Sequence, residues 1–148
     1  MRHTLRTEVD IAATPDEVWR RLTNFADYPD WNPFITSVLG VAAVGQRLTV
    51  RLDPPGGRGI TMRPTVTDVV PGRALEWLGR LGIPGVFDGR HRFELHETPS
   101  GTRLVHGESF HGLLVRPMRG ALDGSTRAGF VAMNDALARR VLRDRAEA

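Results

Sequence analysis

At 148 residues and 41% hydrophobic, the chain suits one domain that can bury a core with a modest cavity beside it. No apolar run approaches the roughly 20 residues of a membrane span, and the lack of cysteine excludes disulfides, thiolate metal sites and a thiol nucleophile. All basic residues are arginine, and 17 acids against 20 bases leave a net charge of +3. The pI near 10.8 therefore reflects arginine's very high pKa, and no nucleic-acid partner is expected.

The N-terminus enters an alternating pattern at once, without a signal peptide, so a cytoplasmic protein is expected. Leu5, Thr7, Val9 and Ile11 alternate with Arg6, Glu8 and Asp10, the pattern of a half-buried strand. Thr14-Pro15-Asp16-Glu17 is a capping box with proline in the first turn, and it predicts a short helix to about Asn24. A second short helical turn is expected from Asp27 to about Trp31, ended by Asn32-Pro33. Strands follow at 35–43, 47–52, 60–70, 73–81, 87–97 and 102–111. Pro64 marks an edge or bulge in one of them, and residues 53–59 form an exposed loop.

From about Pro117 to Arg145, Met118, Leu122, Phe130, Met133, Leu137 and Val141 recur at helical spacing. This predicts one long amphipathic helix, with Gly120, Gly124 and Gly129 weakening its first half. No linker or repeat divides residues 1–148, so a single domain is expected. The whole reads as α+β: a seven-stranded antiparallel meander curved around the C-terminal helix, with two short helices after the first strand. The space between helix and concave sheet is the candidate site.

Strand parity selects the side chains that face this space. On 87–97 the apolar set Phe87, Phe93 and Leu95 carries His91 inward with it; on 102–111 Leu104, His106, Glu108 and Phe110 share a face. A turn centred on Pro99-Ser100 pairs positions that sum to 199, so His91 opposes Glu108 and Phe93 opposes His106. A turn centred near Pro84 sets Trp77 beside His91. The expected ligand contacts are Trp31, Trp77, His91, Phe93, His106, Glu108, Phe110, Phe130 and Met133. His91 and Glu108 are the candidates for acid/base chemistry, and a mutually satisfied core pair is the competing reading. His91, His106 and Glu108 lack a recognisable metal-binding spacing, and no metal or cofactor is expected.

Several segments resemble the START-like (helix-grip) superfamily, in its bacterial polyketide cyclase/dehydrase and lipid-transport branch. They are Ala13-Thr14-Pro15-Asp16-Glu17-Val18-Trp19, Tyr28-Pro29-Asp30-Trp31-Asn32-Pro33, the run from Val69 to Trp77, Gly89-Arg90-His91-Arg92-Phe93, and Glu108-Ser109-Phe110-His111-Gly112. The resemblance implies a seven-stranded sheet gripping the C-terminal helix around a hydrophobic cavity. It also implies lipid, sterol or polyketide ligands, with some members cyclising or aromatising polyketides and others acting as adaptors. Its motifs are mainly those of the fold, so no catalytic set transfers by resemblance. Three functions follow as expectations: a carrier of a small hydrophobic ligand, a cofactor-independent polyketide cyclase, aromatase or dehydratase, and a protein-interaction adaptor with a vestigial pocket. Stable membrane insertion is not expected, and the oligomeric state, a homodimer included, stays open.

Overall fold

The computed structural model describes residues 1–148. Strand β1 (Arg2–Ile11) buries Leu5, Thr7 and Ile11 and exposes Arg6, Glu8 and Asp10, as its alternation requires. Helix α1 (Pro15–Thr23) starts on the capping box: Glu17 N–H donates to Thr14 Oγ1 at 3.2 Å, and Thr14 N–H donates to Glu17 at 3.0 Å. A 3₁₀ turn (Phe25–Asp27) leads into α2 (Tyr28–Trp31), which stops at Asn32 ahead of Pro33.

Eight strands form two antiparallel sheets. β2 (Ile35–Leu39), β3 (Thr49–Leu52) and β4 (Ile60–Met62) make the smaller one. β5 (Thr65–Val70), β6 (Ala74–Arg80), β7 (Asp88–Thr98) and β8 (Gly101–His111) join β1 in the larger, in the order β1-β8-β7-β6-β5. The single seven-stranded sheet expected from sequence is therefore corrected to five strands plus three, and the 60–70 strand to two strands. Pro64 is the physical cause. It has no N–H for a ladder bond, so pairing stops at Met62 and resumes at Thr65. The sheets still meet there, because Leu48 N–H donates to the Pro64 carbonyl and Val66 N–H to the Gln46 carbonyl, both at 2.8 Å.

At the C-terminus α3 (Val115–Ala121) runs through a π-helical stretch (Leu122–Thr126) into α4 (Arg127–Ala146) without a break. The expected apolar face is the buried one: Leu122, Phe130, Met133, Leu137 and Val141 join Leu5, Phe93 and Leu104 in one core, with Met118 packed at its edge. Arg21 ties α1 to α4 through two bonds to Asp144, at 2.7 and 2.8 Å. The helix glycines divide in role. A Cβ at Gly129 would collide with the Phe34 ring, so this glycine permits close packing; Gly120 and Gly124 face open space.

Candidate functional site

The inner face of the larger sheet is laid out in cross-strand rows. One row runs Leu5, Glu108, His91, Trp77, Val66; the next runs Thr7, His106, Phe93, Leu75. The β7–β8 register is the one expected, with His91 opposite Glu108 and Phe93 opposite His106. Trp77 lies opposite His91, and the two rings stack at 5.1 Å.

Across these rows runs a continuous polar chain inside the apolar core. Glu108 Oε1 lies 3.1 Å from His91 Nδ1, and His91 Nε2 lies 2.7 Å from His106 Nε2. His106 Nδ1 lies 2.8 Å from Asn134 Oδ1 on α4, whose Nδ2 donates to Thr7 Oγ1 at 2.8 Å; Thr7 in turn donates to the His106 carbonyl at 2.8 Å. His91, His106, Asn134 and Thr7 are all buried. Phe130 covers the pair of imidazoles, stacked on His106 with centroids 4.3 Å apart.

The direction of donation assigns the hydrogens. Thr7 spends its only hydrogen on the His106 carbonyl, so it accepts from Asn134. Asn134 therefore presents its oxygen to His106, which carries its hydrogen on Nδ1. Burial first, and then the neighbouring His91 charge, push the His106 pKa well below 6.5, against the opposing hydrogen bond to Asn134; the ring stays neutral. Its Nε2 is then a lone pair, and His91 must donate from Nε2. One hydrogen remains for the gap between His91 Nδ1 and Glu108. Either Glu108 is an acid donating to a neutral imidazole, or His91 is an imidazolium donating to a carboxylate. Without that hydrogen two lone pairs would face each other at one of the two contacts.

Glu108 also reaches open space. In the inner row beyond His91 the sheet carries Gly79 opposite Gly89, so two side chains are missing. A Cβ on Gly89 would run into Glu108 Oε2, and one on Gly79 would lie 2.8 Å from Met62 Cε. Glu108 and Met62 take up the room so made, and with Gly89 they line a cavity of about 510 Å³ between Phe34, Leu52, Ile60, Leu81, Phe87 and Phe110 on one side and Met118, Ala121 and Leu122 on the other. Glu108 is its one carboxylate; Arg58, Ser125 and Thr126 supply the other polar side chains. A small void of about 20 Å³, near the size of one water, touches Trp77, His91 and Glu108 just behind it.

Of the expected contacts, Glu108 and Phe110 line the cavity, and Trp77 and His91 reach only the small void. Phe93, His106, Phe130 and Met133 sit fully buried in the core behind. Trp31 lies outside, edge-on to Tyr28 at 5.1 Å, with its indole N–H buried and unpartnered. Phe34, Ile60, Met62 and Leu81 were not among the expected contacts. The one sequence signal for them is Gly89 at inward parity, which adds no side chain to the concave face beside Glu108. No three His, Asp or Glu side chains converge as a metal site requires. No helix is long and apolar enough to cross a membrane.

The sequence matches, over residues 2–143, the family described as Polyketide cyclase / dehydrase and lipid transport. No curated protein matches it. Among solved structures it is similar to the ZhuI aromatase/cyclase of Streptomyces sp. R1128, with 20% identity, 97% of this chain and 95% of that one covered, and a TM-score of 0.78. A point mutant of Thalictrum flavum norcoclaurine synthase, in complex with a transition-state analogue, gives 16% identity, 98% and 97% coverage, and a TM-score of 0.75. A protein of Mesorhizobium loti gives 23% identity, 96% and 98% coverage, and a TM-score of 0.71. At such identities the likeness is one of fold.

Proposed function

The chain belongs to the polyketide cyclase / dehydrase and lipid transport family, and on that footing we propose that its cavity binds one small, mostly hydrophobic molecule, lipid- or polyketide-like. The observation that carries this reading is the lining itself. About 510 Å³ of largely apolar wall contains one carboxylate, Glu108, which is half sunk behind Gly89 and backed by His91. Ligand sites combine such an apolar volume with few, well-placed polar groups. Apolar contact supplies affinity, and Glu108 fixes the end of the ligand that carries a hydroxyl or carbonyl. Native mass spectrometry of freshly purified protein should find one retained small molecule, or neutral apolar compounds should raise the Tm. No retained molecule and no Tm shift across a chemically diverse set would contradict the reading.

A second reading, acid/base catalysis, is favoured by the single hydrogen held between Glu108 and His91. With that hydrogen on His91, the carboxylate takes a proton from carbon beside a ligand carbonyl. With it on Glu108, the acid returns a proton to oxygen. One group can thus serve both halves of an aldol closure or a dehydration. Glu108→Gln keeps a donor toward His91 Nδ1 and so keeps the polar chain, but it cannot exchange protons. Turnover of a polyketide-like substrate should then collapse in Glu108→Gln with the Tm held. Unchanged turnover in both Glu108→Gln and His91→Ala would remove the pair from any catalytic role.

A further inference from the structure

We infer that the rim of the cavity is a docking surface for an anionic lipid bilayer, independent of what the cavity holds. Three segments border it: the loop 54–60, the turn 81–87, and residues 111–122, which comprise the β8–α3 connection and α3 itself. Leu81, Phe87 and Met118 line the cavity from beneath it. The turn and the connection are fastened together, since Leu113 N–H donates to the Gly85 carbonyl at 3.1 Å and Leu114 N–H to the Val86 carbonyl at 3.0 Å. Gly112, at φ +128, allows this close pass, because a Cβ there would strike the Val86 carbonyl.

The fastened tip turns its apolar side chains outward. Leu113 is 80% exposed, Ile83 71% and Leu114 41%. Single exposed apolar residues are ordinary, but these three lie on two segments held side by side, from which Leu81, Phe87 and Met118 line an apolar cavity. Three arginines near them have no carboxylate partner. The three segments contain Arg58, Arg116 and Arg119, all exposed, and no aspartate or glutamate, so they carry as much positive charge as the whole chain's +3. A carboxylate flanks each segment and has a partner within the protein: Asp88, mostly buried, meets Arg80 (3.5 Å) and the Gly85 N–H (3.2 Å), Asp53 meets Arg51 (3.1 Å) and Thr36, and Asp123, half-exposed, meets His3 (2.7 Å).

An outward apolar tip among unpaired cations fits one partner chemistry best. Leucine and isoleucine side chains enter the region between headgroups and acyl chains, while arginines pair with anionic phosphates at the surface. A soluble acidic protein would satisfy the arginines but gives no reason for an unshielded apolar tip. Docked this way, the opening faces the bilayer.

The test is flotation of the full chain with vesicles of phosphatidylcholine alone or mixed with phosphatidylglycerol. Binding to the mixed vesicles should be about a hundred-fold tighter than to phosphatidylcholine, and should fall as salt screens the surface. Arg116→Gln/Arg119→Gln should weaken it by about thirty-fold. Ile83→Ser/Leu113→Ser, at positions too exposed to disturb the core, should weaken it at least about ten-fold with the Tm unchanged. Equal affinity for the two vesicle types, no flotation with either, or variants that bind like the parent would overturn the proposal. So would an analytical ultracentrifugation result in which Ile83→Ser/Leu113→Ser splits a dimer while no form of the protein binds vesicles; the tip would then belong to a second copy. Ligand retention is read without vesicles, so the cavity reading and the docking surface can fail separately.

Discussion

The two halves of the C-terminal helix carry the same apolar period and end in opposite surroundings. Along α4, Phe130, Met133 and Leu137 are fully buried against large inward residues of the sheet, among them Phe93, His106 and Leu104. Along α3 and the π-helical stretch, Met118, Ala121 and Leu122 face a cavity. The helix does not decide between these outcomes. The strands opposite do, by offering closely packed rings and branched side chains to one half and Gly89, Glu108 and Phe110 across a gap to the other. An amphipathic face is thus core or binding wall according to what the partner layer omits, and Glu108 stands where one regime gives way to the other.

That contrast has an energetic scale. Phe130→Ala should cost about 3–5 kcal/mol in chemical denaturation, because it opens a void under both imidazoles. Met118→Ala, at a partly buried position on the cavity wall, should cost clearly less, about 1 kcal/mol. Comparable losses would mean that the first half is packed as tightly as the second, and the cavity would not be a standing feature.

The polar chain sharpens the packed side of the comparison. His106 has its pKa depressed by burial, so the unfolded chain, with a histidine near 6.5, binds a proton that the folded chain does not. Its contribution is fully present above about pH 6.5 and is lost as pH falls toward the folded value, at up to about 1.4 kcal/mol per pH unit. Glu76, Glu94 and Asp144 are also held below their ordinary ranges, by arginine contacts that offset their burial, but they act only below about pH 4.5. Between pH 6.5 and 4.5 the Tm should therefore fall, and it should fall less in His106→Gln. An identical slope in the variant would remove His106 as the cause.

The smallest effect concerns motion. Gly120 and Gly124 face open space, and the π-helical stretch lies between the two helical halves, so amides of 115–126 should exchange about ten-fold faster than those of 130–141. Equal protection would make the mouth of the cavity as rigid as its floor.

Much of this was legible in the sequence because strands alternate strictly. Parity and the Pro99-Ser100 turn place His91 opposite Glu108, and the same arithmetic about Pro84 stacks Trp77 on His91. The capping box at Thr14 and the apolar period from Met118 to Val141 likewise specify their helices. Pro64 was legible as an interruption, but one residue's missing N–H does not say that the chain before it will pair in a second sheet. The polar chain was half legible. His91, His106 and Glu108 sit on paired strands, whereas Asn134 and Thr7 complete it from a helix and a strand far away in sequence, and only docking brings them to His106. The cavity lies further along than the cluster around His91, since the large inward side chains of that cluster pack against α4 and fill their own space, and Gly89 adds no side chain beside Glu108.

The most direct test is a Nile red fluorescence titration of the parent protein beside Ala121→Trp, whose added ring crosses the cavity wall from an exposed helical position. A standing apolar cavity predicts saturable one-to-one binding to the parent and at least about a ten-fold loss in Ala121→Trp at unchanged Tm. Equal binding to both proteins, or none to the parent, would contradict it.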